Sequence, residues 1–238
     1  MPVQQLTSLS CFFPAYNEEP NIARLLDEVV ATLPQFATQW EALVIDDGST
    51  DNTAGIVRDY AARHPEIRLI QHKNNLGYGH ALQTGLKEST GESVFFTDAD
   101  LQFHLSDIGV LLPAFENADI AIGYRIKRRD PWHRLVVAGV YHTVLRTMFD
   151  LHVRDIDCAF KLFDRHVVDT LVGQLESRSA FISPELVIRA KNAGFRINEV
   201  GVTHYPRTAG TPGGASIKVI ARTIQEMRSL RADLRNSR

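Results

Sequence analysis

The first 125 residues alternate two kinds of apolar pattern. Short continuous runs lie at Leu9 to Phe13, Ala42 to Ile45, Ile67 to Gln71, Val94 to Thr97 and Ile120 to Ile122. Runs of that length fit strands buried on both faces. Between them apolar residues recur at helical spacing. Ile22, Leu25, Leu26, Val29 and Val30 follow Asn21 as a candidate N-cap, and Ile56, Val57 and Tyr60 follow Asp51 or Asn52. Ala81, Leu82 and Leu86 mark a third helix, and Leu105, Ile108, Leu111, Leu112 and Phe115 a fourth. The first strand is expected to end at Pro14. Strand and helix in alternation predict a three-layer α/β/α fold with a mostly parallel central sheet.

The second half is less regular. Val137, Val140, Tyr141, Val144, Leu145 and Met148 make Val136 to Phe149 an amphipathic helix, preceded by the basic run Arg125 to Arg129. Strands are expected at Ala159 to Phe163 and Ile197 to Val202, with a helix at Pro184 to Ala193. Thr208 to Ser216, rich in Gly, Thr and Pro, reads as a mobile loop. From Ile217 on, Ile220, Ile224, Met227, Leu230 and Leu234 line one helical face, with Arg222, Arg228, Arg231 and Arg235 among them.

Composition removes several classes. A chain of 238 residues with 44% hydrophobic and 23% charged residues is long enough for a large α/β core. A formal charge of −2 gives no pull toward nucleic acid. Cys11 and Cys158 lie in no Cys/His cluster, which argues against zinc and a disulfide scaffold and fits a reducing cytoplasm. The start of the chain lacks the basic and apolar segments of a signal peptide. Leu135 to Tyr141, the longest apolar stretch in the middle, is far below the roughly 20 residues that span a bilayer. The expectation is a cytoplasmic protein, or one peripheral on the cytoplasmic face of a membrane.

The chemistry gathers at strand ends. Pro14-Ala15-Tyr16-Asn17-Glu18, Asp46-Asp47 and Asp98-Ala99-Asp100-Leu101-Gln102 all close a predicted parallel strand. Ligands of open α/β sheets sit beyond those carboxyl ends. In extended chain, residues i and i+2 point to one side, so Asp98 and Asp100 can aim at one point. Two carboxylates beside a Gln suit a hard divalent cation that also binds substrate phosphates. Several of these residues have a plainer alternative. Tyr16 could only pack, Asp47 and Asp51 could cap the next helix, and Asn75 and Gly77 could serve turn geometry. Lys127 to Arg129 could be a solvated face, Glu185 a residue favoured by a helix start, and His204 structural.

Six motifs occur in order: Pro14 to Glu18, Asp46-Asp47-Gly48-Ser49-Thr50-Asp51, Asn75-Leu76-Gly77, Asp98 to Gln102, Gly123-Tyr124-Arg125, and Asp155-Ile156-Asp157-Cys158-Ala159-Phe160-Lys161. Together they resemble family-2 inverting glycosyltransferases of the GT-A fold, a Rossmann-like α/β architecture. The nearest branch is similar to the dolichyl- and polyprenyl-phosphate sugar synthases. The resemblance covers roughly residues 8 to 218.

The resemblance implies a GT-A domain over 1–215, with a nucleotide-sugar half at about 8–125 and an acceptor half at about 126–215, then a basic amphipathic helix over 216–238. It implies a nucleotide site of Pro14, Tyr16, Glu18, Asp46, Gly77, Asp98, Ala99 and Arg207, with Asp46 and Glu18 on the base and ribose. Asp98, Asp100 and Gln102 would hold Mg²⁺ or Mn²⁺ on the diphosphate of a UDP- or GDP-sugar. Arg125 and Arg207 would meet phosphate. Asp100, Arg125 and Asp155 are the catalytic candidates. Asp155 would be a general base for a hydroxyl acceptor, or an orienting group for a polyprenyl phosphate. Ala159 stands where Gly is common in the family, an added methyl that narrows the acceptor side.

The leading expectation is transfer of a sugar to a polyprenyl phosphate, with peripheral membrane contact through the two amphipathic helices. The alternatives are a soluble or glycan hydroxyl acceptor and, further off, a non-catalytic nucleotide-binding subunit. A nucleotidyltransferase is disfavoured because the first strand is not followed by a Gly-rich basic loop. Base, sugar and oligomeric state are left open.

Overall fold

Residues 5–126, 132–207 and 217–236 are described by the structure, a computed structural model. The basic run Lys127 to Arg129 and the loop Thr208 to Ser216 lie outside the described residues. The first five strands are β1 (Leu6–Ala15), β2 (Ala37–Asp46), β3 (Ile67–Gln71), β4 (Ser93–Thr97) and β5 (Ile120–Ile126). They are linked by α1 (Glu19–Phe36), α2 (Thr53–Ala61), α3 (Tyr78–Glu88) and α4 (Ile108–Phe115). Then come α5 (Trp132–Phe149), β6 (Phe160–Asp164), α6 (Arg165–Leu171), α7 (Ile182–Asn192), β7 (Ile197–Thr203) and α8 (Ile217–Asn236).

The sheet order is β3-β2-β1-β4-β6-β5-β7, and only β6 runs antiparallel to its neighbours. The period-2 alternation of each strand fills both faces. Cys11, Phe13, Ala42, Val44 and Phe95 enter a core with α1 and α4, whereas Phe12, Leu43, Ile45 and Phe96 enter one with α3 and α7. The chain therefore lays α1 on one face while building outward from β1. It then crosses back by α3 on the other face to reach β4. That reversal beside β1 opens a crevice at the strand ends.

β1 does not stop at Pro14, which pairs with Ile45 inside the strand. The Ala15 carbonyl turns toward β2, where it accepts from Asp47 N at 2.9 Å. Backbone groups of adjacent strand residues face opposite sides, so Pro14 turns its ring nitrogen away from β2. On that side pairing with β4 has ended at Phe12↔Phe96, and the missing N–H costs no ladder bond. Asn21 is not the N-cap of α1. Glu18 is, and Asn21 is buried in the first turn with its Nδ2 donating to Glu18 Oε2 at 2.6 Å.

One glycine is fixed by packing. A Cβ on Gly85 of α3 would stand 2.1 Å from Phe12 Cδ2, and Phe12 is itself buried and stacked on Phe96 at 5.4 Å. Overpacking costs about 1–3 kcal/mol, against about 1 kcal/mol that alanine gains over glycine in a helix. Gly85→Ala is therefore expected to lower the urea midpoint despite its better helix propensity. An unchanged or higher midpoint would show that the Phe12 ring can step aside.

Most of the described apolar positions of the two amphipathic helices are spent on the fold; Ile224 of α8 is the exception at 45% exposed. Met227 and Leu230 of α8 are buried, and Leu234 packs beside them, as do Tyr141, Val144, Leu145, Met148 and Phe149 of α5. Side chains 132–138, 140 and 217–220, among them Val137, Val140 and Ile220, lie outside the described residues. The outer face of α8 carries Arg222, Arg228, Arg231 and Arg235, all exposed. Among the described residues no helix is long and apolar enough to cross a membrane.

Candidate active site

Three strand ends meet at one level, because the register sets Ala15 opposite Asp46 and Phe12 opposite Phe96. The β4 end carries Asp98 and Asp100. Leu101 adopts φ +58°, a conformation that costs a branched side chain energy. This turn brings Gln102 N to Asp100 Oδ1 at 3.1 Å. It also points Asp98 and Asp100 at the same space, with Asp98 half-buried and Asp100 buried. Burial, and then the Asp100 charge, push the Asp98 carboxyl up to about 7. Tyr78 at the start of α3 donates to Asp98 Oδ1 at 3.0 Å. Its own hydroxyl is raised by desolvation and by the charges of Asp98, Asp100 and Asp157.

Two carboxylates that repel each other and a nearby amide oxygen fit a hard divalent cation, whose charge would remove the repulsion. Among the described residues no group of three or more His, Cys, Asp or Glu could hold a metal. The remaining ligands would have to come from substrate.

A segment from the far end of the chain closes this corner. Tyr205 N donates to Gln102 O at 2.8 Å, and Gln102 Nε2 donates to Tyr205 O at 3.1 Å. Edge contacts join His104 to Tyr205 and Phe103 to His204, so His204 packs as the structural alternative held. The segment delivers Arg207 Nη2 to Asp100 Oδ2 at 2.5 Å. Glu18, at the β1 end, feels both Asp100 and Arg207, and burial raises its carboxyl. Tyr16 next to it is 46% exposed and so is not spent on the core.

The β2 end is more closed than its motif suggests. Asp46 is buried, with Oδ1 accepting from Ser49 N at 3.0 Å and Oδ2 from Gln71 Nε2 at 2.8 Å. Contact with a base therefore requires the exposed Gln71 side chain to swing aside. Asp47 does not cap α2. It accepts from Leu76 N at 2.9 Å and Gly77 N at 2.7 Å, and His72 Nδ1 lies 2.7 Å away, so it pins the loop leading into α3. Gly77 there has φ +96°, the turn geometry of its plainer alternative. The N-cap of α2 is Asn52, and Asp51 just before it accepts from Thr53 N, the first helical residue, at 3.0 Å. Ala99 and Pro14 contribute buried backbone between these side chains.

Beyond the end of β5's pairing with β6, Asp155 and Arg125 form a fork. Arg125 Nε donates to Oδ2 at 2.6 Å and Nη2 to Oδ1 at 2.7 Å, and Asp155 is buried. The hydrogen bonds and charge of Asp155 raise Arg125 above its ordinary value, against the desolvation that opposes them. Asp157, two residues on, keeps 38% of its side chain exposed and stands 3.8 Å from His142 Nε2. The Ala159 methyl packs into the core beside α7 instead of narrowing an open acceptor side. Glu185 is a strut: it accepts from Ser177 N at 2.8 Å and Arg189 Nε at 2.8 Å.

A model of the family described as glycosyl transferase family 2 matches residues 10–172. The chain belongs to that family. A dolichyl-phosphate beta-glucosyltransferase of Trichomonas vaginalis is 34% identical to this family-2 chain over 208 residues, 79% of it and 61% of the relative. An undecaprenyl-phosphate 4-deoxy-4-formamido-L-arabinose transferase of Proteus mirabilis is 28% identical over 220 residues, 91% of this chain and 66% of that protein. The chain thus spans less than two thirds of the length of these curated relatives. A glucosyl-3-phosphoglycerate synthase from Mycobacterium tuberculosis, solved with Mn²⁺, UDP and glucosyl-3-phosphoglycerate, shares the fold. Its TM-score is 0.68 at 19% identity over 93% of this chain and 80% of that one.

Two residues of this family-2 site received no role from the sequence. Tyr78 was only part of a turn-rich loop. Lys161 is fully buried, and its Nζ donates to Ile156 O at 2.9 Å, Cys158 O at 2.5 Å and Ser183 Oγ at 2.7 Å. The available signal was a lysine inside an apolar strand, Phe160-Lys161-Leu162-Phe163.

Proposed function

We propose that the chain transfers a sugar, with inversion, from a nucleotide sugar to a polyprenyl phosphate. The observation that carries this reading is the convergence of Asp98, Asp100, Gln102, Glu18 and Arg207 at the crevice beside β1. Asp98, Asp100 and Gln102 would hold Mg²⁺ or Mn²⁺, which neutralises charge developing on a departing nucleoside diphosphate. Tyr16, Glu18 and Asp46 line the nucleotide end, with Pro14, Gly77 and Ala99 supplying backbone shape. The solved synthase that shares the fold, with UDP bound, and the dolichyl- and undecaprenyl-phosphate relatives support a UDP-sugar and a polyprenyl acceptor.

Inversion needs one displacement. An acceptor oxygen forms its bond to the anomeric carbon as the bond from that carbon to the diphosphate breaks, and the electron pair leaves with the diphosphate. A lipid monophosphate, with a second pKa of about 6, is already largely anionic near neutral pH and requires no base. Asp155 fits that case as the group that orients Arg125, since the guanidinium holds both of its oxygens. Arg125 Nη1 takes no part in that fork and would face the anionic acceptor. A hydroxyl acceptor is the second reading. It requires a general base, and Asp157 is the exposed carboxylate of the same turn.

The test incubates the chain with UDP-glucose and Mn²⁺, offering a polyprenyl phosphate or soluble sugars. The expected result is metal-dependent glucosyl transfer to the phosphate, within about twofold in Asp157→Asn. Transfer to a hydroxyl alone, lost in Asp157→Asn, would replace this reading with the second.

A further inference from the structure

Both oxygens of Asp100 are engaged within the chain. Gln102 N holds Oδ1, and Arg207 holds Oδ2 at 2.5 Å, with the two side chains only 5% and 28% exposed. A buried carboxylate beside a second carboxylate needs a positive charge close by, and Arg207 supplies it. The guanidinium does not arrive by chance of a long side chain. The Tyr205–Gln102 backbone pair and the two ring contacts fix residues 204–206 against the loop that bears the metal candidates. The same latch ties up the Gln102 amide nitrogen. A cation approaching Asp100 thus meets an oxygen already in a charge-assisted hydrogen bond.

We propose that Arg207 is the resident counter-cation of Asp100, that it competes with the divalent metal for Oδ2, and that a nucleoside diphosphate relieves the competition by giving the displaced guanidinium a phosphate partner. This rests on the metal–nucleotide reading above. Metal alone then binds weakly, because it must first expel a cation that has nowhere equally good to go. The diphosphate alone also binds weakly, because Arg207 is committed to Asp100. Together they bind with strong positive coupling, and by linkage each raises the affinity of the other by the same factor. Arg207 is a positioning and coupling residue here, in addition to any contact with the leaving group.

The test titrates the full chain with Mn²⁺ alone, UDP alone and the two together, following free Mn²⁺ by electron paramagnetic resonance and UDP by calorimetry. In the unaltered chain the coupling factor is expected at about 5- to 150-fold, the ordinary range for linked sites. In Arg207→Gln bare Mn²⁺ should bind severalfold more tightly, UDP in saturating Mn²⁺ more weakly, and the coupling factor should fall severalfold, to the part that the ion's own contacts with the diphosphate supply. Arg207→Lys, which keeps the charge, should retain weak binding of bare Mn²⁺. Bare Mn²⁺ binding that is unchanged or weaker in Arg207→Gln, with Mn²⁺–UDP binding normally in the unaltered chain, overturns this inference alone. Failure of the unaltered chain to bind Mn²⁺ and UDP even together overturns the metal–nucleotide reading and this inference with it.

Discussion

Asp100→Ala is expected to lower sugar transfer by at least about a thousandfold, since removal of a single group that stabilises developing charge already costs a hundred- to a thousandfold. Loss of a metal ligand removes more than one such interaction. The same substitution should leave the fold intact. Asp98 and Asp100 repel each other in the resting site, which is one reason the Asp98 carboxyl is pushed up to about 7. Taking away Asp100 relieves that repulsion, while the Arg207 guanidinium it abandons is 28% exposed and can turn to water. The melting temperature should therefore hold or rise as activity disappears. Transfer assays at saturating Mn²⁺, paired with calorimetric melting, check both halves. Activity within tenfold of the unaltered chain would mean that the β4 end does not hold the catalytic cation. A collapse in melting temperature would mean that the ion pair with Arg207 is structural.

That prediction starts from residues legible in the sequence, and so does the frame that holds them. The runs at Leu9 to Phe13, Ala42 to Ile45 and Val94 to Thr97 name the strands whose ends form the crevice. Their two-sided burial could be read because parallel strands between helices leave no polar face. What could not be read was set by contacts across the chain. The expected strand end at Pro14 fails because pairing with β4 is already over there, and a proline costs no ladder bond. Asp47 resembled a cap by its distance to the next helix, yet its oxygens go to amides 29 and 30 residues away. The Asp155–Arg125 fork and the Arg207–Asp100 pair span 30 and 107 residues, and no local spacing reports either. Membership in the family was legible from the order of six motifs, each weak alone.

Lys161 bears the second large expectation, on stability. It sits in β6 opposite Phe96 of β4, where the pattern asks for an apolar side chain, and its ammonium lies 5.5 Å from the Phe96 ring centre. The ammonium accounts for the carbonyls of Ile156 and Cys158 and the hydroxyl of Ser183. It thereby fastens the turn from Asp155 to Cys158 to α7. Lys161→Met keeps the volume but strands those acceptors, at about 1–3 kcal/mol for each one left without a partner. Methionine regains part of this by burying apolar surface, so a net loss of about 3 kcal/mol is expected. For a chain of this size that is a fall of about 6–12 °C in melting temperature.

Burial holds the lysine below its usual value of 10.5, against the pull of Cys158, Asp157, Asp155 and Asp98. Between that lowered value and 10.5 the unfolded chain binds more protons than the folded one, so this residue makes stability rise with pH across the window. The methionine variant lacks that rise, and the gap between the two proteins should widen toward alkaline pH. Because Asp155 lies on the fastened turn, the variant should also raise KM for the acceptor more than it lowers kcat. A melting temperature within 2 °C of the unaltered chain would show that the turn holds itself, and that this buried charge contributes nothing a methionine cannot replace.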